Sequence, residues 1–158
     1  IVEPEVLING EHSISECDKV TRTTLKVLFD ELKLINIYLP GLILKPSMVI
    51  SGDKNSSRAD FEKVAEMTII CLKDICPKDL GGVAFLSGGQ TNDEATNHLK
   101  LMNSGIYDLP WRVTFSYARA IQQSALNVWS GKDENHEKAQ AILVERAKSC
   151  SEASIGNH

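Results

Sequence analysis

Four times along this 158-residue chain a short apolar run gives way to a longer amphipathic stretch, and no other feature restricts the fold as much. The apolar runs are Ile1–Leu7, Tyr38–Leu44, Gly82–Leu86 and Trp111–Phe115. The first helix is announced by Ser13 with Glu16 three residues on, a capping box, and by Leu25, Leu28, Leu32 and Ile35 on one face over Ser15–Asn36. Ser57 and Asp60 suggest a second cap, ahead of a buried face of Phe61, Val64, Ala65, Ile69 and Leu72. Thr91 with Glu94 caps a third helix carrying Ala95, His98, Leu99 and Met102. A fourth opens at Ser116 and runs through Ala120, Ile121, Ala125 and Leu126, and a last one carries Ala139, Ile142, Leu143 and Ala147. Strands alternating with amphipathic helices predict an α/β fold: a parallel sheet covered by helices, with right-handed connections.

With 42% apolar and 24% charged residues, the chain is expected to form one core, as a single domain over residues 1–158. A net charge of -4 argues against nucleic-acid and anionic-membrane partners, which favour a basic face. No apolar run reaches bilayer length, and the first residues lack a signal-peptide layout, so a cytoplasmic location is expected. Ile1 stands where a methionine would begin a gene product, and the chain reads as a piece of something longer. Cys17, Cys71, Cys76 and Cys150 are scattered, as reduced thiols are. His12, His98, His136 and His158 stand apart from other metal-ligating residues; no metal site or cofactor is expected, and all four are read as surface residues.

The chemistry gathers at strand ends. Lys45 closes an otherwise apolar run and admits two readings: a lysine whose stem is buried while its head reaches water, or an amine kept neutral by desolvation and able to form an imine with a carbonyl. Glu3 and Glu5, two apart on a strand, point to one face unless Pro4 interrupts the pleat. They are either solvated carboxylates or a pair in which one partners the lysine and the other shuttles protons. The Ser87-Gly88-Gly89 turn is either a strand-to-helix connection that needs glycine dihedrals or a phosphate cradle at a helix start. Ser116 and Arg119 favour the cradle, because a guanidinium matches phosphate oxygens in bidentate geometry. Glu3, Lys45, Ser87 and Ser116 all stand where α/β folds bind ligands.

In order and spacing, Val2-Glu3-Pro4-Glu5, Leu44-Lys45-Pro46-Ser47-Met48-Val49, Phe85-Leu86-Ser87-Gly88-Gly89-Gln90 and Thr114-Phe115-Ser116-Tyr117-Ala118-Arg119-Ala120 resemble the motifs of class I fructose-bisphosphate aldolase. The resemblance implies a TIM (β/α)8 barrel, of which the chain is the C-terminal half with four parallel β-α units. It implies Lys45 as the imine lysine, Glu3 as the acid/base of carbinolamine chemistry and Glu5 as an assisting carboxylate. Ser87, Gly88, Gly89, Ser116 and Arg119 would bind the substrate phosphate. The reaction implied is reversible cleavage of fructose 1,6-bisphosphate into dihydroxyacetone phosphate and glyceraldehyde 3-phosphate, without a cofactor, in a family that is typically homotetrameric.

Two departures qualify this expectation. Ala118 stands where the family usually has glycine, so phosphate affinity is expected to fall without loss of the site. The family's catalytic aspartate and two further lysines belong to strands outside these residues, so an N-terminal half-barrel is the expected partner. Two other readings are kept: a Schiff-base aldolase for a different sugar phosphate, and a truncated non-catalytic half-barrel with a protein-interaction role.

Overall fold

In the computed structural model, which describes residues 1–156, the first three α-helices each start on a side-chain cap. Helix α1 (Ile14–Leu34) starts on the full capping box: Ser13 Oγ accepts from Glu16 N at 3.2 Å, and Glu16 Oε2 accepts from Ser13 N at 2.7 Å. Such a cap contributes about 1 kcal/mol. The helix stops two residues before the expected Asn36, because Asn36 takes a left-handed φ of 52°. Ile35 thereby falls past the helix end and is 67% exposed, while Leu25 is buried as expected.

Strand β1 (Ile43–Leu44) is shorter than the run that announced it. Pro40 fixes a 3-10 turn over Leu39–Gly41, and the chain becomes extended only afterwards. Helix α2 (Phe61–Ile75) takes Asp60 alone as its cap, accepting from Lys63 N; Ser57 N instead donates to Asn55 Oδ1. Strand β2 (Gly82–Phe85) leads into α3 (Asn92–Met102), where Thr91 and Glu94 form the second full capping box. Strand β3 (Val113–Phe115) follows. Helix α4 (Arg119–Trp129) begins three residues later than expected: Tyr117 is buried and its hydroxyl donates to Ala95 O at 2.9 Å, which holds the preceding turn against α3. Helix α5 (His136–Ile155) completes the chain and packs most extensively on α4.

The strands pair in parallel in the order β1-β2-β3, with Leu44 opposite Val83 and Ala84 opposite Thr114. Sequential order is that of a barrel closed by repeated β-α units, whereas a doubly wound sheet reverses its order. The expected opening strand, Ile1–Leu7, is reduced to a single parallel bridge between Val2 and Leu44. Val2 N donates to Ile43 O at 3.0 Å and Lys45 N to Val2 O at 2.8 Å, after which Pro4, which has no N–H, ends the ladder. Val6 N then donates to the Ser47 hydroxyl at 2.9 Å, so a side chain continues what the strand could not.

Leu44, Val83, Phe85 and Val113 are buried beneath the helices, in a core that also takes Leu25, Ile69, Leu72, Leu99 and Met102. Their strand neighbours Ile43, Ala84 and Thr114 are half-buried or exposed, so the sheet has one covered face and one accessible face. The four cysteines are free and buried. Among the described residues no helix is long and apolar enough to cross a membrane.

Candidate active site

Register sets the first contact. Because Val2 bridges Leu44, the next residues along, Glu3 and Lys45, lie side by side on the accessible face of the sheet. Lys45 Nζ is 2.8 Å from Glu3 Oε1, with the lysine side chain 21% exposed and the glutamate 52%. The lysine stem is thus largely covered while its amine meets both a carboxylate and solvent.

Around this pair the strand ends converge. Of the eight residues expected from the sequence, Glu3, Glu5, Lys45, Ser87, Gly88, Ser116 and Arg119 line one cavity of about 150 Å³, together with Leu86 and Ala118. Gly89 is the exception. It faces a larger neighbouring cavity of about 700 Å³ across the turn, which Arg119 also lines. Glu3 and Glu5 are both exposed, while Val2, Pro4 and Val6, which alternate with them, are half-buried, so the alternation survives without a ladder.

The turn between these two cavities carries unspent donors. Gly88 and Gly89 have φ of 56° and 85°, left-handed values that glycine adopts without a Cβ penalty. Among the described residues, the N–H groups of Ser87, Gly88 and Gly89 donate to no other protein group, and the Arg119 guanidinium has no ion-pair partner. Successive free amides beside an arginine form a concavity suited to a phosphate. Ala118, where the sequence resemblance leads to an expectation of glycine, has φ of -100°, which any residue adopts, and it lines the cavity.

His98 departs from its expected place at the surface, and two buried polar residues, Ser47 and Gln90, support the site without a signal in the sequence. His98 is buried, 2% exposed, and not at the surface; His136 is exposed, His12 half-buried, and His158 lies outside the described residues. Its Nδ1 is 2.6 Å from Gln90 Oε1, and its ring meets Phe61 edge to face at 5.1 Å. The signal was present in the helical period, which set His98 on the same face as Ala95, Leu99 and Met102. Ser47 and Gln90, both buried, had no such signal.

Burial lowers the His98 pKa to about 4, with Glu94 opposing the shift and Arg58 adding to it. Phe61 and Gln90, the other groups against the ring, carry no charge. In the unfolded chain a histidine titrates near 6.5, so between these values the unfolded state binds the proton more tightly. The stability that neutral His98 confers is complete above about pH 6.5 and is lost as pH falls toward 4, by about 3 kcal/mol in all. Urea unfolding of the chain at pH 7 and pH 4.5 is expected to show an acid-induced loss about 2.5 kcal/mol smaller in His98→Asn than in the parent. Equal losses in the two proteins would remove His98 as the cause.

Comparison with known proteins bears on the whole chain. The family model for class-I fructose-bisphosphate aldolase matches residues 1–158. A probable fructose-bisphosphate aldolase class 1 of Xanthomonas campestris is 49% identical over 158 residues, covering 99% of this chain and 47% of that protein. Fructose-bisphosphate aldolase 4, cytosolic, of Arabidopsis thaliana is 42% identical over 158 residues, which make up 40% of its length. Among solved structures, the aldolase of Plasmodium falciparum, crystallised with TRAP and a small-molecule inhibitor, superposes with a TM-score of 0.93 at 41% identity. The match covers 99% of this chain and 45% of that one. The chain therefore spans less than half the length of these relatives. On the full-length family match, the identity of its relatives and the shared fold, the chain belongs to the class-I fructose-bisphosphate aldolase family.

Proposed function

We propose that residues 1–158 carry the imine lysine and phosphate cradle of a Schiff-base aldolase that reversibly cleaves fructose 1,6-bisphosphate into dihydroxyacetone phosphate and glyceraldehyde 3-phosphate. The observation that supports this most directly is the 2.8 Å contact between Lys45 Nζ and Glu3 Oε1, inside a cavity shared with Ser87, Gly88, Ser116 and Arg119.

The chemistry follows from what each group can give. Glu3 accepts a proton from the Lys45 amine, which attacks the ketose carbonyl to form a carbinolamine. Proton return through Glu3 or Glu5 to the carbinolamine hydroxyl lets it leave as water, giving an iminium. The iminium withdraws electrons from the adjacent carbon, so the carbon–carbon bond breaks with its electron pair moving into an enamine. As that bond breaks, the hydroxyl on the departing carbon gives its proton to Glu3, and glyceraldehyde 3-phosphate leaves as the aldehyde; the same proton is available for the enamine. Protonation and hydrolysis of the enamine then release dihydroxyacetone phosphate and restore Lys45. The free amides of Ser87–Gly89, the two serine hydroxyls and Arg119 hold the phosphate that fixes the carbonyl over Lys45.

A cavity of about 150 Å³ accommodates the phosphate and carbonyl end of such a substrate and not the whole sugar. The remainder would lie over the accessible face of the sheet, which an N-terminal half-barrel bearing the family's aspartate and two further lysines would cover. Assembly as a cytoplasmic homotetramer belongs to the same reading, and for the location alone the cytosolic Arabidopsis relative is in line with it.

Borohydride reduction in the presence of dihydroxyacetone phosphate, performed on the longest natural protein that contains this chain, tests the proposal. A stable adduct mapped by mass spectrometry to Lys45 is expected, and its absence would refute the Schiff-base reading. Removal of the Arg119 guanidinium is expected to act on binding. A charge-assisted pair to phosphate contributes about 2 kcal/mol, so Arg119→Ala should raise KM for the bisphosphate about 30-fold with a smaller change in kcat. An unchanged KM would place the phosphate elsewhere.

A further inference from the structure

Consecutive left-handed residues such as Gly88 and Gly89 belong to no ladder, so their turn keeps its shape only if something closes it. Gln90 does so twice. Its backbone N–H and its side-chain Nε2 both donate to the Ser87 carbonyl, at 3.0 and 3.1 Å. A carbonyl oxygen only accepts, so the end of the Gln90 amide that faces it is the NH2 group. The amide oxygen is thereby turned toward His98, 2.6 Å from Nδ1. That oxygen also only accepts, so His98 must present an N–H at Nδ1.

The helix supplies the direction. Side chains on a helix lean toward its N-terminus, and Gln90 lies just ahead of Thr91, the N-cap of α3. The imidazole is held there by burial and by its edge-to-face contact with Phe61, at an interplanar angle of 76°.

We propose that His98 is a positioning residue: its Nδ1–H tautomer orients the Gln90 amide, and Gln90 holds the Ser87–Gly89 turn in the shape that leaves three amide N–H groups free for a substrate phosphate. The inference rests on the reading of that turn as the phosphate cradle. It assigns the sugar-phosphate site a support that touches neither substrate nor reacting atoms. Burial keeps the ring neutral near pH 7, so the donor is a tautomer and not a charge.

Two measurements test it. Long-range 15N–1H NMR of the wild-type protein at pH 7 is expected to show His98 as the neutral Nδ1–H tautomer; the Nε2–H tautomer would overturn the proposal, whatever the activity. In the full enzyme, His98→Leu is expected to raise both KM for fructose 1,6-bisphosphate and the dissociation constant for inorganic phosphate about ten-fold, with kcat within about two-fold. His98→Asn, whose amide offers an N–H in the same place, should return both to within about three-fold of wild type. If leucine and asparagine behave alike, the ring serves packing alone and the proposal fails. A wild-type enzyme without a Lys45 adduct would remove the aldolase reading itself. A trapped adduct together with unchanged phosphate affinity in His98→Leu would overturn this inference alone.

Discussion

Lys45→Met is expected to abolish the borohydride-trapped adduct and to lower cleavage of fructose 1,6-bisphosphate by about four orders of magnitude or more, while leaving the fold intact. Methionine keeps the unbranched stem that lies against the sheet and removes only the amine. No other group lining the cavity can replace it: the remaining polar side chains are carboxylates, hydroxyls and a guanidinium, none of which forms an imine. The stability cost is small because Glu3, the partner left behind, is 52% exposed and keeps its hydration. A shift within about 1 kcal/mol in urea unfolding is therefore expected, as for exposed ion pairs generally. Loss of activity with an unchanged unfolding midpoint would assign Lys45 to chemistry. Retained cleavage, or an adduct that moves to another lysine, would return Lys45 to the reading of a partly covered strand-end cation.

The convergence of the candidate site residues is legible in part because strand periodicity and strand ends are encoded locally. Alternation set Glu3 and Glu5 on one side, and the apolar run before Lys45 marked where β1 would end. These signals depend on near neighbours only. What could not be read depends on contacts distant in sequence. Pro4 threatens the pleat, yet whether Val2 pairs at all rests on Leu44, 42 positions away. The 3-10 turn at Leu39–Gly41 cut a seven-residue expectation down to two strand residues, since a single proline outweighs local β-propensity.

His98 illustrates the opposite error. Its place on the apolar face of α3 is visible in the helical period, but a histidine isolated from other ligand residues reads as a surface residue. Gln90 supplies the missing term, a buried acceptor that makes a buried imidazole tolerable. Ser47 is similar: only after Pro4 ends the ladder does the Val6 N–H need a side-chain acceptor. In both cases the sequence held the residue while the demand for it arose from tertiary structure.

Gly52→Ala is expected to destabilise the chain by about 4 kcal/mol and to loosen the carboxylate side of the cavity. A Cβ at this position would stand 2.2 Å from Gly10 O and 2.7 Å from Gly10 C, both backbone atoms that no rotamer change can move aside. The two segments must separate, and their separation breaks a clasp. Gly52 N donates to His12 O at 2.9 Å, Asp53 N to Ile8 O at 2.8 Å and Lys54 N to Gly10 O at 2.9 Å. Gly10 N returns a bond to Asp53 Oδ1 at 2.9 Å, and Asn55 Nδ2 donates to Glu11 O at 2.9 Å. Each bond is worth about 1 kcal/mol net, but the strain and the partial loss of several compound. This clasp anchors the segment that runs back through Val6 to Glu5 and Glu3, so the same substitution should weaken the registry between Glu3 and Lys45. The expected result is a lower urea midpoint together with slower trapping at Lys45, in contrast to Lys45→Met, which removes trapping and leaves the midpoint in place. An unchanged midpoint in Gly52→Ala would mean that the two loops part at little cost, and the clasp could not be what holds the carboxylates beside the lysine.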